Sequence, residues 1–286
     1  MGFDSRSKAA ALLDVLHVRL WLSLGCLLFS LSIVSAADVV KQLDVSYGEE
    51  IRKLDICIPS SPPLGSILII HGGGWVAGDK RDDIGLCTLF AKSGILALSV
   101  NYTLLDGTTN RWPAPIDDVK AVQSWLLTHA REYSVEGKAV CLMGDSAGAH
   151  LAAIVALTTD GIACSVLNFA PMLFDRPEFT GTIRHFFPGS SPSQFRELAR
   201  SVSPPSMVTG RAGPMMIAQG YEDTTIPPVH SQALINALVS SRVPFSALFF
   251  QGGHEWQGLK PSEIADNINM EIEFVTSKLR PLAPPQ

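Results

Sequence analysis

The pentapeptide Gly144-Asp145-Ser146-Ala147-Gly148 constrains this chain more than any other stretch. Lys138 to Met143, before it, is a short apolar run of the length of a buried strand. Ala149 to Leu157, after it, is rich in Ala and Leu, lacks Gly and Pro, and reads as a helix. A serine on a sharp strand-to-helix turn is a nucleophile elbow. The turn forces Ser146 into a strained backbone conformation while chain passes close on both sides. Glycine at 144 and 148 removes the side chains that would collide there. The helix starting at this point aims free N–H groups at any anion formed beside the serine.

A second glycine cluster lies upstream. Ser66 to Ile70 is a β-branched apolar run, a buried parallel strand, and it leads directly into His71-Gly72-Gly73-Gly74-Trp75. Consecutive glycines after a core strand let backbone N–H groups point into open space. In acyl transfer this makes half of an oxyanion hole, from Gly73 and Gly74, with the N–H of Ala147 as the other half.

The remaining segments alternate between apolar runs and helical patterns. Asp38 to Pro59 alternates loosely and reads as an antiparallel edge hairpin. Asp82 to Ser93 and Ile116 to Arg131 read as helices, the latter with Val119, Val122, Trp125 and Leu126 at helical spacing. Gly94 to Val100, Ile162 to Ala170, Pro214 to Gln219 and Pro244 to Phe250 read as strands, with helices over Pro228 to Ser241 and Ser262 to Leu279. This rhythm predicts an α/β fold, a mostly parallel central sheet with helices on both faces. Residues 171–213 break it with six prolines and the pair Phe186-Phe187. We read them as a cap insertion with a short helix near Ser193–Ser201, in a single domain over 37–286. The cap aromatics either line a pocket or pin the cap down.

Three chemistry-bearing residues fall in loops after separate strands, in the order Ser146, Asp223, His254. Open parallel sheets gather such loops at one edge. A serine hydroxyl attacks only once a base takes its proton, and an imidazole is the side chain that exchanges protons near neutral pH. A carboxylate then holds the imidazole tautomer and stabilises its charged form. Glu222, the neighbour of Asp223, is the competing acid, and the residues alone leave the two open. Asp145 and His150 read as structural.

The motifs together resemble the hormone-sensitive-lipase-like and feruloyl-esterase-like (BD-FAE-like) branches of the α/β-hydrolase superfamily. Besides the two glycine motifs, the resemblance rests on Asn101-Tyr102, Trp112-Pro113-Ala114-Pro115 before Asp117-Asp118, Gly220-x-x-Asp223 with Ile226-Pro227, and Gly253-His254. It implies an α/β-hydrolase fold and a serine carboxylesterase with a catalytic triad of Ser146, Asp223 and His254. Its implied partner is a small-molecule ester. The same set of motifs serves amidases of the kynurenine-formamidase type, and non-catalytic ligand-binding relatives also exist. Trp75, Tyr102, Phe186, Phe187 and Trp256 are the candidate pocket residues.

Composition narrows the partners. The net charge is −5 and no Lys/Arg stripe appears, so no nucleic-acid partner is expected. No CxxC or His-rich spacing suggests a metal or a cofactor. Residues 1–36 carry Arg6, Lys8 and Arg19, then the apolar run Leu20 to Val34, then Val34-Ser35-Ala36. This pattern reads as a secretory signal, with an uncleaved membrane anchor as the alternative. Cys57, Cys87, Cys141 and Cys164 remain beyond it, and four cysteines allow three pairings. The sequence does not choose among them; Cys141 and Cys164 fall in predicted core strands, where a free thiol is usually a small buried hydrophobe. Asn101-Tyr102-Thr103 is a glycosylation sequon in a secreted chain, although Tyr102, at a strand end, is also placed to face the site.

Overall fold

The computed structural model describes residues 39–49 and 51–280 of the 286-residue chain. The expected signal segment lies outside the described residues. Eight strands form one sheet: β1 (Val40–Ser46), β2 (Lys53–Ile58), β3 (Ser66–Ile70), β4 (Leu96–Val100), β5 (Val140–Asp145), β6 (Ile162–Asn168), β7 (Met215–Gly220) and β8 (Phe245–Phe250). Their order is β1-β2-β4-β3-β5-β6-β7-β8. The expected hairpin β1–β2 forms one edge, and β2 also runs antiparallel to β4. Every other pairing is parallel.

The helices are α1 (Ile84–Lys92), α2 (Ala114–Thr128), α3 (Ala147–Thr158), α4 (Thr180–Phe186), α5 (Phe195–Ser201), α6 (Val229–Ser240) and α7 (Pro261–Leu279). The sheet separates two cores, and the alternation of strand side chains assigns residues between them. Leu68, Ile70 and Leu142 join α2, α3 and α6 on one face, whereas Ile67, Ile69, Cys141 and Met143 join α1 and α7 on the other. Helix α3 is apolar on every side and buried from Ala147 to Ala156, sandwiched between the sheet, α2 and the 171–213 segment. This fold is the α/β architecture expected from the sequence.

Sheet order decides where a site forms. From β3 the chain crosses to β4 on one side, then returns to β5 on the other. The loops after β3 and β5 therefore part around a crevice at the C-terminal edge of the sheet, which is where open α/β sheets bind ligands.

Residues 171–213 carry two short helices, α4 and α5, the first of which the sequence pattern did not suggest. Phe174, Phe179, Ile183, Phe186, Ala199 and Val202 are all buried in the same core as α3. Lys80 is a buried cation, its Nζ lying 2.7 Å from Asp55 Oδ1 and 2.8 Å from Asp44 Oδ1. It ties the segment after the glycine loop to the edge hairpin.

The fold decides the cysteine pairing that the sequence leaves open. Cys141 and Cys164 are not free thiols: they form a disulfide, and so do Cys57 and Cys87. Cys141 and Cys164 face each other in the β5–β6 register with Cα atoms 4.7 Å apart, a proximity only strand pairing creates. Cys57–Cys87 ties β2 to α1.

Replacing Cys141 and Cys164 together by Ala is expected to cost about 3 kcal/mol of unfolding free energy, the scale for a closed loop of this size. Urea denaturation of the two proteins measures it, and an unchanged midpoint would exclude a stabilising role for this bond.

Candidate active site

Ser146 sits between β5 and α3 with φ 51° and ψ −116°, the strained turn expected of an elbow. The neighbouring chain explains the glycines. A Cβ on Gly148 would run into the backbone carbonyl of Ile70, at the end of β3. Helix α3 is thereby free to start directly against the glycine loop. The Ser146 N–H is tied to the Asn168 carbonyl at 2.8 Å, fixing the turn to β6.

His254 comes from the loop after β8, and its Nε2 lies 3.1 Å from Ser146 Oγ. Its Nδ1 lies 2.7 Å from Asp223 Oδ2. His254 is 8% exposed and Asp223 3%. The far oxygen of Asp223 accepts N–H groups from Thr225 at 2.9 Å and Ile226 at 2.7 Å, and Gln219 Nε2 lies 3.3 Å from the near one. A carboxylate with its lone pairs so engaged is held in one orientation. Glu222, the competing acid, is exposed and bonds Gln251 instead. Phe169 supports the imidazole from below, with ring centroids 5.6 Å apart, and also packs edge-on against Trp256 at 4.7 Å.

The N–H groups of the glycine loop are left without an internal acceptor. The Gly72 carbonyl lies 2.7 Å from His71 Nδ1, and the Gly73 carbonyl accepts the N–H groups of Val76 and Ala77. In a planar trans peptide the following N–H points the opposite way. Those N–H groups belong to Gly73 and Gly74, and neither donates to an acceptor among the described residues; nor does Ala147. Gly73 has φ +107°, and a Cβ there would strike the Ala77 carbonyl. A Cβ on Gly72 would lie 3.6 Å from Ser146 Cβ, so the loop lies alongside the elbow.

The candidate pocket residues divide. Trp256 lines a cavity of about 380 Å³ that runs beside Gly72 and Gly73. Phe187 lines a separate cavity of about 380 Å³ with Arg111 and Trp112. Tyr102 and Trp75 are corrections, because both are buried, whereas Phe186, though also buried, shares the lining of the Phe187 cavity. Tyr102 stacks under His71 with centroids 4.3 Å apart and donates to the His71 carbonyl at 3.1 Å, so it braces the glycine loop from behind. Trp75 and Phe186 pack on each other at 5.0 Å, pinning that loop to the 171–213 segment. Asn101 is also buried; its Oδ1 accepts the Lys80 N–H at 2.6 Å and its Nδ2 donates to Asp79 at 3.1 Å. In the folded chain this side chain is enclosed by its partners.

Carboxyl groups crowd the far wall. The cavity along the glycine loop is lined by Asp82, Asp83, Asp145 and Glu255. Burial, with Asp145 and Asp82 adding, pushes the Asp83 carboxyl up to about 7. Burial, with Glu255 adding, pushes Asp145 to about 6. Beneath the elbow, Glu271 of α7 is 0% exposed, and burial, with the Asp145 charge adding, pushes it to about 8. Sequence reasoning missed Glu271 and Phe169, because neither lies in a motif. Asp145 was read as structural.

These shifts carry one sign. Between an unfolded pKa near 4.5 and a folded one near 8, the native Glu271 keeps a proton that the unfolded chain has lost. Stability therefore falls as pH rises through that window. Glu271→Gln is expected to match or slightly lower the melting temperature at pH 5 and to raise it at pH 8. Thermal scans across this range check it, and parallel curves for the two proteins would contradict it.

Comparisons with known proteins find similarity to proteins named as esterases and to esterase structures of the same fold. Residues 54–172 match the family model described as BD-FAE. The probable carboxylic ester hydrolase LipM of Mycobacterium tuberculosis is 25% identical over 223 residues, 68% of this chain and 51% of that protein. The kynurenine formamidase of Danio rerio is 35% identical over 126 residues, 41% of this chain and 39% of that protein. The chain spans about half the length of the first curated relatives it matches. Among solved structures, a truncated carbohydrate esterase from gut microbiota superposes with a TM-score of 0.73 at 19% identity, covering 85% of this chain and 98% of that one.

Proposed function

We propose that this chain, an α/β hydrolase by fold, is a serine enzyme that cleaves carboxylic esters through an acyl-enzyme. The observation that carries the reading is the hydrogen-bonded line from Asp223 through His254 to Ser146, ending beside three outward N–H groups. Ser146 Oγ attacks the acyl carbon while His254 Nε2 takes its proton. Asp223 keeps the Nδ1–H in place and stabilises the imidazolium. The carbonyl oxygen becomes an oxyanion and accepts hydrogen bonds from Gly73, Gly74 and Ala147, each donor of this kind being worth roughly 3 kcal/mol. His254 returns the proton to the leaving alcohol oxygen. Water, deprotonated by the same imidazole, then releases the acid and restores Ser146. The chemistry draws on no metal or cofactor. The names borne by the relatives support an ester as substrate.

The similarity to a kynurenine formamidase supports a second reading, hydrolysis of a formyl amide on the same triad. Ester and amide differ in the leaving atom, because an amine must be protonated before it departs. Two buried disulfides support an oxidising compartment for the folded chain, in keeping with the leader-like residues 1–36. Mapping the N-terminus of the expressed product tests this. A start near Ala37 supports secretion, and retention of the leader in a membrane fraction supports an anchor.

A fluorophosphonate probe is expected to label Ser146 in the wild-type protein and not in Ser146→Ala, whose ester turnover falls by more than roughly 10⁴-fold. Unlabelled wild-type protein, or undiminished turnover by the variant, would sink the mechanism and favour a binding relative. A panel of aryl esters, feruloyl esters and formyl amides ranks the two substrate readings by kcat/KM. Because the cavity beside the glycine loop is lined by carboxyl groups, esters with anionic leaving groups are expected to react more slowly than neutral ones of equal reactivity at about pH 8, above the values of Asp83 and Asp145. The gap should narrow at high salt. Equal rates at low salt would mean that this cavity does not receive the leaving group.

A further inference from the structure

His150 lies one turn along α3 from Ser146, and its N–H bonds the Ser146 carbonyl at 3.1 Å. Its side chain is 0% exposed. The indole of Trp75 donates to His150 Nδ1 at 3.2 Å, and His150 Nε2 lies 2.7 Å from the Val202 carbonyl. An indole N–H only donates and a carbonyl only accepts. The ring is therefore neutral, with Nδ1 bare and the proton on Nε2. Burial supports that state, holding the group down at about 4. Trp112, Phe174 and Phe186 enclose the ring, with centroids 5.6, 4.6 and 6.5 Å away.

Trp75 directly follows Gly74 and has φ +65°, a conformation a bulky residue keeps only when its surroundings hold it. Two hydrogen bonds do so: the indole on His150, and the Leu105 N–H on the Trp75 carbonyl at 2.8 Å.

We infer that His150 is a positioning residue that registers the Gly73 and Gly74 donors against Ser146, through Trp75, and ties that register to the 171–213 segment through Val202. One helix, α3, carries Ser146, the Ala147 donor and His150. The glycine loop is thus referenced to the element that holds the nucleophile and the opposite donor. An oxyanion hole works only if donors from two loops meet one oxygen to within a fraction of an ångström, and a misplacement of about 1 Å costs as much as 100-fold in rate. The bond to Val202 adds the segment above the site to the same linkage, so a substrate that shifts this segment also shifts the donors.

The inference rests on the serine-hydrolase reading, so the wild-type protein is assayed first. Active sites are counted with a fluorophosphonate probe, and kcat per labelled site is measured with a short-chain aryl ester. His150→Phe keeps a buried ring but supplies neither nitrogen. Trp75→Phe removes the indole donor and keeps a smaller buried ring. His150→Gln restores one acceptor and one donor. Each Phe variant is expected to lose roughly ten- to hundredfold in kcat per labelled site, with KM changed by less than about threefold. The double variant should lose no more than the worse single, and His150→Gln should recover part of the rate. Unchanged kcat per labelled site, with only the labelled fraction or the melting temperature reduced, assigns His150 a purely structural role and overturns the inference. Fully multiplicative losses in the double variant also overturn it. If His150→Phe does not fold, Trp75→Phe alone decides between these outcomes. Wild-type protein that neither labels nor turns over ester overturns the hydrolase reading, and this inference with it.

Discussion

The site depends on one backbone contact, the approach of α3 to the carbonyl end of β3. A side chain on Gly148 would overlap the Ile70 carbonyl, and one on Gly144 would overlap the backbone of Gly148. With both positions bare, the first turn of a helix lies against a sheet strand and against the loop that leaves it. Two sets of N–H groups without internal acceptors, those of a helix start and those of a glycine loop, then lie on neighbouring stretches of chain. The apolar surface of α3, buried on every side, fixes the helix in the pose that brings them together.

Around this contact the molecule accepts unfavourable electrostatics. Asp83, Asp145 and Glu271 all have carboxyl groups that burial drives toward neutrality. Packed carboxyls of this kind disfavour the folded state as pH rises, and they gather where the site is. The opposite treatment is given to Asp223, whose oxygens are saturated by backbone and amide donors. Two environments for one functional group, a few residues from the same imidazole, separate a carboxylate that orients His254 from carboxyls that line a cavity wall. The remainder of the fold absorbs the cost through two cores, two disulfides and the Lys80 ion pairs.

Much of this was legible in the sequence, for local reasons. Apolar runs bounded by glycine and proline gave strands, and helical spacing gave the helices between them. The glycines of 72–74, 144 and 148 marked backbone conformations that other residues rarely take. Side-chain destinations were less legible. Tyr102 and Trp75 read as pocket walls because aromatics near a site often are. Their burial follows from the way the 171–213 segment folds down onto α3, which no local pattern encodes. Helix α4 was missed because its seven residues are too short to show a period. The sequon at Asn101 was readable as a motif, but its side chain is consumed by Lys80 and Asp79, distant in sequence and brought against it only by the fold.

The sequence by itself determined the alternation of elements, the elbow, the glycine loop and the order in which three chemistry-bearing residues occur. Each depends on interactions within a few residues: periodicity, backbone strain and turn chemistry. Only the tertiary structure decided which residues meet. Strand pairing set Cys141 beside Cys164, the sheet edge brought His254 to Ser146, and Asp223 rather than Glu222 turned inward because its oxygens could be satisfied there. His150 shows the same division. As letters it is one histidine in an alanine-rich helix, and only packing against Trp75 and Val202 gives its two nitrogens a direction.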